Sequence, residues 1–335
     1  MDDIEILDLS DDGERQNNMI NHVENDNTNN SFSVLEMYGE DLSAKQYITN
    51  PAIARDEEIK NMMLALLLPE KSAIIVGKPG IGKTALAEGL AYKIQKGEVP
   101  EALKNYKVIK INVSSLLGST TIDGNTDTKL QLLVAELKGK QDTILFIDEI
   151  HTIIGTGSEG GSIDFAQMLK PGLDRGSIKL IGATTTQEFE RYLISDRALL
   201  RRFEKIDLEE PTQEVTVEIL MGSLPKIEHQ TGVKLDYNSF IIKKIITFIV
   251  NMTSEYKRVH SFISSYPDIP LTLLSKAFSY ALYDNSEKVT FKHIWKAISN
   301  FKGVYPDVIE KEQKVFKEEF KDYLEEEIVD LSDNI

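Results

Sequence analysis

Gly77-Lys78-Pro79-Gly80-Ile81-Gly82-Lys83-Thr84 fits G-x-x-x-x-G-K-[ST], the spacing of a triphosphate-binding loop. Backbone N–H groups in such a loop converge on one point, which suits a phosphate chain. There Lys83 would reach the β- and γ-phosphates of ATP, and the Thr84 hydroxyl would ligate Mg2+. Further along, the apolar run Ile144-Leu145-Phe146-Ile147 ends in Asp148-Glu149. A buried strand ending in two carboxylates delivers them to the sheet edge where phosphates sit. Asp148 would hold Mg2+, and Glu149 would orient and activate the attacking water. A chance glycine turn or plain strand-end solvation could explain either motif alone. Their co-occurrence favours the chemical reading.

These residues need a parallel sheet behind them. Ser72-Ala73-Ile74-Ile75-Val76 before the loop reads as a buried strand, and Ala85 to Ala91 after it opens an amphipathic helix. Further strands are expected at Val108–Val113, Thr143–Ile147 and Ile178–Thr185, with a short extended piece at Lys205–Leu208. Helices are expected at Asp56–Leu68 and Leu130–Leu137, and a polar loop at Gly118–Asp127. Strands alternating with helices predict an α/β domain whose sheet is covered on both faces. Past Pro211 the apolar periodicity turns helical, at Gln213–Ile227, Asn238–Met252, Pro270–Tyr283 and Phe291–Ser299. The segment 309–328 reads as a charged helix with a thin stripe of Val315, Phe316, Phe320 and Leu324; it is either solvated or docked on a partner.

The chain has 335 residues, 41% hydrophobic, with no cysteine, so disulfides and thiolate metal sites are excluded. Its net charge of −16 is uneven: residues 1–41 carry −11 and residues 303–335 carry −7, leaving the middle at +2. A near-neutral body argues against general nucleic-acid affinity, and no apolar run is long enough to span a bilayer. The acidic start, Met1-Asp2-Asp3-Ile4-Glu5, does not suit a secretory or transit signal, and a cytoplasmic protein is expected. Residues 1–32 are polar and low in aromatics, the composition of a disordered segment. Ile6-Leu7-Asp8-Leu9-Ser10-Asp11 is echoed by Ile328-Val329-Asp330-Leu331-Ser332-Asp333. Both resemble the small-modifier interaction motifs of eukaryotic proteins, or are two acidic tails alike by coincidence.

From about Leu35 to Asn300 the chain resembles the first ATPase module of the Clp-type AAA+ unfoldases and disaggregases. The likeness rests on Leu35–Leu42, Asn50–Ile59, Gly97-Glu98-Val99-Pro100, Leu145–Thr152, Met168-Leu169-Lys170-Pro171 and Gly182-Ala183-Thr184-Thr185, besides the two motifs above. It implies a P-loop NTPase of the AAA+ fold, with a parallel-sheet large domain at 33–210 and a small, mostly α-helical domain at 211–302. An acidic helical or disordered tail would occupy 303–335. It also implies ATP held by Ile53, Pro79, Gly80, Ile81, Gly82, Lys83, Thr84, Ala85 and Asp148. Thr185 would be the polar sensor that positions water. Arg201 and Arg202 would act on the γ-phosphate of a neighbouring subunit, so the copies would form a ring, most often a hexamer.

The resemblance further implies a loop that grips a polypeptide substrate. Here the family's tyrosine position is Ile122, flanked by Thr121 and Asp123 in place of cations, with Gly124 retained. A second such loop falls at Gly157–Ile163. After Pro267-Asp268, the family's lysine position is Ile269. The expected function is an ATP-hydrolysing, ring-forming protein remodeller acting on a polypeptide or through an adaptor. The alternative is a nucleotide-controlled assembly switch or scaffold that does not thread its target. A DNA-handling ATPase ranks third on charge.

Overall fold

A computed structural model describes residues 33–329, apart from 117–118, 123–124, 141, 155–164, 195 and 260–264. The expected disordered segment 1–32, Gly124, the loop Gly157–Ile163 and the acidic end from Asp330 lie outside the described residues, as do both Asp-Leu-Ser-Asp stretches. Residues from Val34 onward form one compact unit.

The described strands are β1 (Gly39–Asp41), β2 (Ser72–Gly77), β3 (Lys107–Ile111), β4 (Ser119–Ile122), β5 (Asn125–Thr128), β6 (Thr143–Ile147), β7 (Lys179–Thr184) and β8 (Phe203–Leu208). Six make one sheet in the order β1-β3-β6-β7-β2-β8. β2, β6 and β7 are buried along their whole length, as their near-continuous apolar runs require of strands covered on both faces. The sheet is parallel except for β1, which adds antiparallel to β3 at the edge, so it is mixed and not purely parallel. Three residues with little apolar content, Gly39-Glu40-Asp41, left no strand signal in the sequence.

Register decides what the sheet edge displays. Val76 lies opposite Thr184, and Ile147 opposite Gly182. The C-terminal ends of β2, β6 and β7 therefore share one edge, the usual ligand-binding edge of a parallel sheet. The helices of eight or more residues are α1 (Asp56–Leu67), α2 (Lys83–Lys96), α3 (Lys129–Gly139), α4 (Phe165–Asp174), α5 (Gln213–Thr231), α6 (Ser239–Met252), α7 (Asp268–Tyr283), α8 (Phe291–Ser299) and α9 (Pro306–Glu319). Buried Leu86, Leu90 and Ile94, spaced by four, seat α2 against the sheet. In α5 the Thr212 hydroxyl accepts from Val215 N, and in α6 the Asn238 side chain accepts from Ile241 N. Both are N-caps that meet otherwise orphaned donors.

One buried apolar cluster runs from Leu42 to Leu208 and another from Val217 to Leu324. Within the expected acidic helical or disordered tail at 303–335, the described residues to Val329 are largely helical and pack on the second cluster. α9 and the short helix Lys321–Glu326 bury Phe316, Phe320 and Leu324 in the helical lobe, and Val329 packs against the same core. Of the expected stripe, only Val315 faces outward. Phe248, Phe291, Phe316 and Phe320 form an aromatic cluster with ring centroids 4.9–6.0 Å apart. The polar loop expected at Gly118–Asp127 is instead an antiparallel hairpin, β4 against β5, with Ile122 paired to Asn125. Outside the two sheets, Lys234 and Lys288 form an isolated parallel bridge.

Candidate nucleotide site

The loop after β2 turns into α2 through Gly80 and Gly82, whose φ values of 73° and 101° lie in the left-handed region that side chains disfavour. Lys83 follows at the first position of α2. Its ammonium is almost buried and donates to the carbonyls of Gly77 and Lys78, each at 3.1 Å. Burial holds its pKa below 10.5, against the upward pull of Glu149, Asp148 and Glu188. The Lys83 cation is thus desolvated and aimed at the loop, where an anion would offset its burial.

β6 ends beside this loop. Thr84 Oγ1 donates to Asp148 Oδ2 at 2.6 Å. Two hard oxygens that close, each reachable by solvent, fit the donor set of Mg2+, which accepts one or two protein ligands and completes its shell from phosphate and water. Glu149 adopts φ 54°, unusual for a residue with a side chain, and its own N–H donates to Asp148 Oδ1 at 3.2 Å. Its carboxylate is 56% exposed.

Thr185 begins the turn after β7. Its hydroxyl accepts from Glu188 N, while its N–H donates to Glu188 Oε2 at 3.0 Å, a reciprocal capping box. Glu188 Oε2 also lies 3.3 Å from Thr184 Oγ1 and 3.2 Å from His151 Nδ1. Burial would raise the Glu188 pKa, but the Thr185 and Thr184 hydrogen bonds and the charge of His151 together hold it below its usual 4.5. Glu149, His151 and Glu188 bring three potential ligand atoms within 4.8 Å of one another. Glu188 approaches Nδ1 and Glu149 approaches Nε2, at 3.7 Å. These nitrogens point away from each other across the ring, so a hydrogen-bond network suits the cluster better than a shared ion. Sequence reasoning missed His151 and Glu188. The spacing Thr185-x-x-Glu188 after a strand was a readable cap signal.

A cavity of about 600 Å3 opens over these groups. Its first-lobe wall includes Pro79, Gly80, Gly82, Lys83, Thr84, Ala85, Asp148, Glu149 and Thr185, while Ile219, Ser223, Lys226, Pro267, Asp268 and Leu271 close it from the helical lobe. Two expected residues are not on this wall. The Ile81 side chain is buried in the sheet core, and Ile53 packs against Gly222 of α5, where a Cβ would come within 2.5 Å of Ile53 Cδ1. Ile269 is buried, so the helical lobe offers no cation there. Glu210 joins the lobes: its carboxylate accepts from Lys78 Nζ at 3.3 Å, Arg258 at 2.9 Å and Tyr266 N at 2.9 Å.

The structure separates the two arginines. Arg202 is tied within the chain, Nη1 to Glu70 Oε2 at 2.9 Å and Nε to Asp174 Oδ1 at 2.5 Å. Arg201 is exposed and has no side-chain partner among the described residues. Ile122 ends β4 and is not among the residues that line the cavity.

Residues 73–209 match the model of the ATPase family associated with various cellular activities (AAA). Over 224 residues the chain is 41% identical to chaperone protein ClpB of Aquifex aeolicus. The chain carries a Clp-type AAA+ module. That match covers 64% of this chain and 22% of the Aquifex protein. The ClpB of Gloeobacter violaceus is 34% identical over 261 residues, covering 76% of this chain and 29% of the relative. The chain thus spans less than a third of the length of these relatives. Among solved structures, the S. cerevisiae Hsp104:casein complex in its extended conformation superposes on the Clp-type module with a TM-score of 0.66 and 30% identity. It covers 80% of this chain and 45% of that one. The S. cerevisiae Hsp104-ADP complex gives 0.67 and 28%, over 88% of this chain and 49% of that one. No helix among the described residues is long and apolar enough to cross a membrane.

Proposed function

We propose that this module binds ATP with Mg2+ between its two lobes, hydrolyses it within a ring of copies, and uses the cycle to remodel a polypeptide in the cytoplasm. The observation that carries the reading is the 2.6 Å contact of Thr84 with Asp148, beside the buried Lys83 and next to Glu149. Lys83 and the loop N–H groups of Gly80 and Gly82 bind the phosphates. Thr84 and Asp148 hold Mg2+, which supplies charge neutralisation on the phosphate oxygens when bound. Glu149 accepts the proton of the attacking water as the water oxygen bonds to the γ-phosphorus and the bond to the bridging oxygen breaks. The Thr185 hydroxyl, which accepts from Glu188 N, keeps its own proton free to orient that water. Among the described residues Arg201 is the unpaired member of the Arg201-Arg202 pair, available to a neighbouring copy, and a finger of that kind is worth about 10³–10⁵ in rate. A hexamer is the expected ring.

Glu149→Gln tests the reading. Nucleotide binding should survive, while hydrolysis falls by about 10²–10⁴. Hydrolysis by the parent should rise with protein concentration as rings form; an undiminished rate in isolated monomers would remove the trans arginine. A likeness to a chaperone solved with casein supports a polypeptide substrate. The second reading, an assembly switch that does not thread its target, is favoured by the Thr-Thr-Ile end of β4, which lacks an aromatic ring and flanking cations. Sustained unfolding of a tagged, stably folded substrate supports threading; ATP turnover without unfolding supports the switch.

A further inference from the structure

We propose that His151 is a positioning residue of the hydrolysis site: it holds the Glu149 carboxylate and ties it to the Thr185–Glu188 turn. The inference rests on the ATP-hydrolysis reading of the site. The backbone of Glu149 is fixed on both sides. Its N–H donates to Asp148 Oδ1, and its carbonyl accepts from Thr152 N at 2.9 Å and Thr152 Oγ1 at 2.8 Å. The next N–H, that of Ile150, donates to Ala183 O at 3.0 Å. The Ile150 side chain packs where Gly182 has no β-carbon; one placed there would lie 2.7 Å from Ile150 Cδ1. The carboxylate of Glu149 is held far less. It is 56% exposed, and its one ion-pair contact among the described residues is His151 Nε2 at 3.7 Å.

His151, by contrast, is pinned from several sides. Its side chain is 13% exposed. Nδ1 lies 3.2 Å from Glu188 Oε2 and 3.2 Å from Thr184 Oγ1. Its ring stacks on Tyr192, with centroids 5.9 Å apart and planes 17° off parallel. Tyr192 belongs to a single π-helical turn, Phe189–Leu193, which continues the turn capped by Thr185 and Glu188. An ionised Glu188 can only accept, so it orients the ring from the Nδ1 edge and leaves Nε2 toward Glu149. A rigid imidazole beside a loosely held carboxylate restricts where that carboxylate can sit. A general base works within hydrogen-bond reach of its water, and a misplacement of about 1 Å can cost about 10²-fold. Through Glu188 the same ring answers to Thr185, the other group proposed to orient the water. One side chain keeps the two in step.

The test uses two amides that each copy one ring nitrogen. His151→Asn places its amide near the Nδ1 position and keeps the Glu188 contact alone; His151→Gln reaches the Nε2 position and still meets Glu149. Steady-state ATPase is measured on the full chain, at a protein concentration where the rate per chain has levelled off. In His151→Asn, kcat should fall about 10–100-fold with KM for ATP within about twofold, and His151→Gln should restore most of the loss. On a Glu149→Gln background, His151→Asn should remove little more, because the two residues act through one carboxylate. Parental kcat in His151→Asn overturns the proposal. So does an equal loss in both amides, or an undiminished further loss on the Glu149→Gln background, since either marks a packing effect. If Glu149→Gln alone turns over as the parent does, the catalytic-base reading itself is wrong, and His151 falls with it.

Discussion

At Thr185 one hydroxyl has two tasks that different substitutions pull apart. As a cap it accepts from Glu188 N, and as a donor it faces the cavity beside Glu149. Thr185→Ala should cost about 1 kcal/mol of stability through the lost cap and lower the ATPase rate as well. Thr185→Ser keeps both functions and should melt and turn over close to the parent. A calorimetric scan and a phosphate-release assay on both variants decide this. The phosphate loop and Asp148-Glu149 were legible in the sequence because their spacing is dictated by the backbone that must wrap a phosphate. His151 and Glu188 were not, because what recruits them is the register of β6 against β7, which brings positions about forty residues apart to one edge. Ile53 and Ile81 carry the opposite lesson. A backbone can belong to a ligand loop while its side chain turns into the core.

At the scale of elements, α9 shows how charge can hide a core helix. Its exposed face is crowded with Glu and Lys, and the apolar stripe is narrow, yet Phe316 and Phe320 are as buried as any sheet residue. Phe316→Ala should destabilise the chain by about 3–5 kcal/mol, read by urea unfolding, whereas Val315→Ala on the outer face should cost under about 1 kcal/mol. The stripe of Phe316, Phe320 and Leu324 was legible in the sequence, but what it packs against was not, because periodicity gives a helix its sidedness without naming its neighbour. The β4–β5 hairpin was missed for the converse reason. Its threonine-rich strands lack an apolar face, although Asp123-Gly124 between them is a common hairpin dipeptide. Helices α5, α6 and α8 were readable from their apolar period.

For the molecule as a whole, Glu210 is the joint. Burial acts to raise its pKa, but the Tyr266 amide, Arg258 and Lys78 outweigh that and hold the carboxyl below 4.5. A carboxyl whose folded pKa is depressed stabilises the fold fully above its unfolded value and loses that contribution as pH falls through the folded one. Glu210→Gln should therefore melt lower than the parent at pH 7, and the gap should close as the pH drops below 4.5. A gap that widens in acid would refute this account of the joint. The change to a helical period after Pro211 was legible; the contact of Lys78, Glu210 and Arg258 was not, since these residues are brought together by the fold alone.

The left-handed backbone at Glu149 sets the interests of the fold against those of the reaction. A side chain with a β-carbon costs about 1 kcal/mol there, and the chain carries that cost at the position of the proposed catalytic base. Asparagine tolerates the conformation better, so Glu149→Asn should raise the melting temperature by a degree or more while abolishing turnover. A screen for thermal resilience in this protein would on that account drift toward inactive variants, and selection for activity must continually hold Glu149 against it.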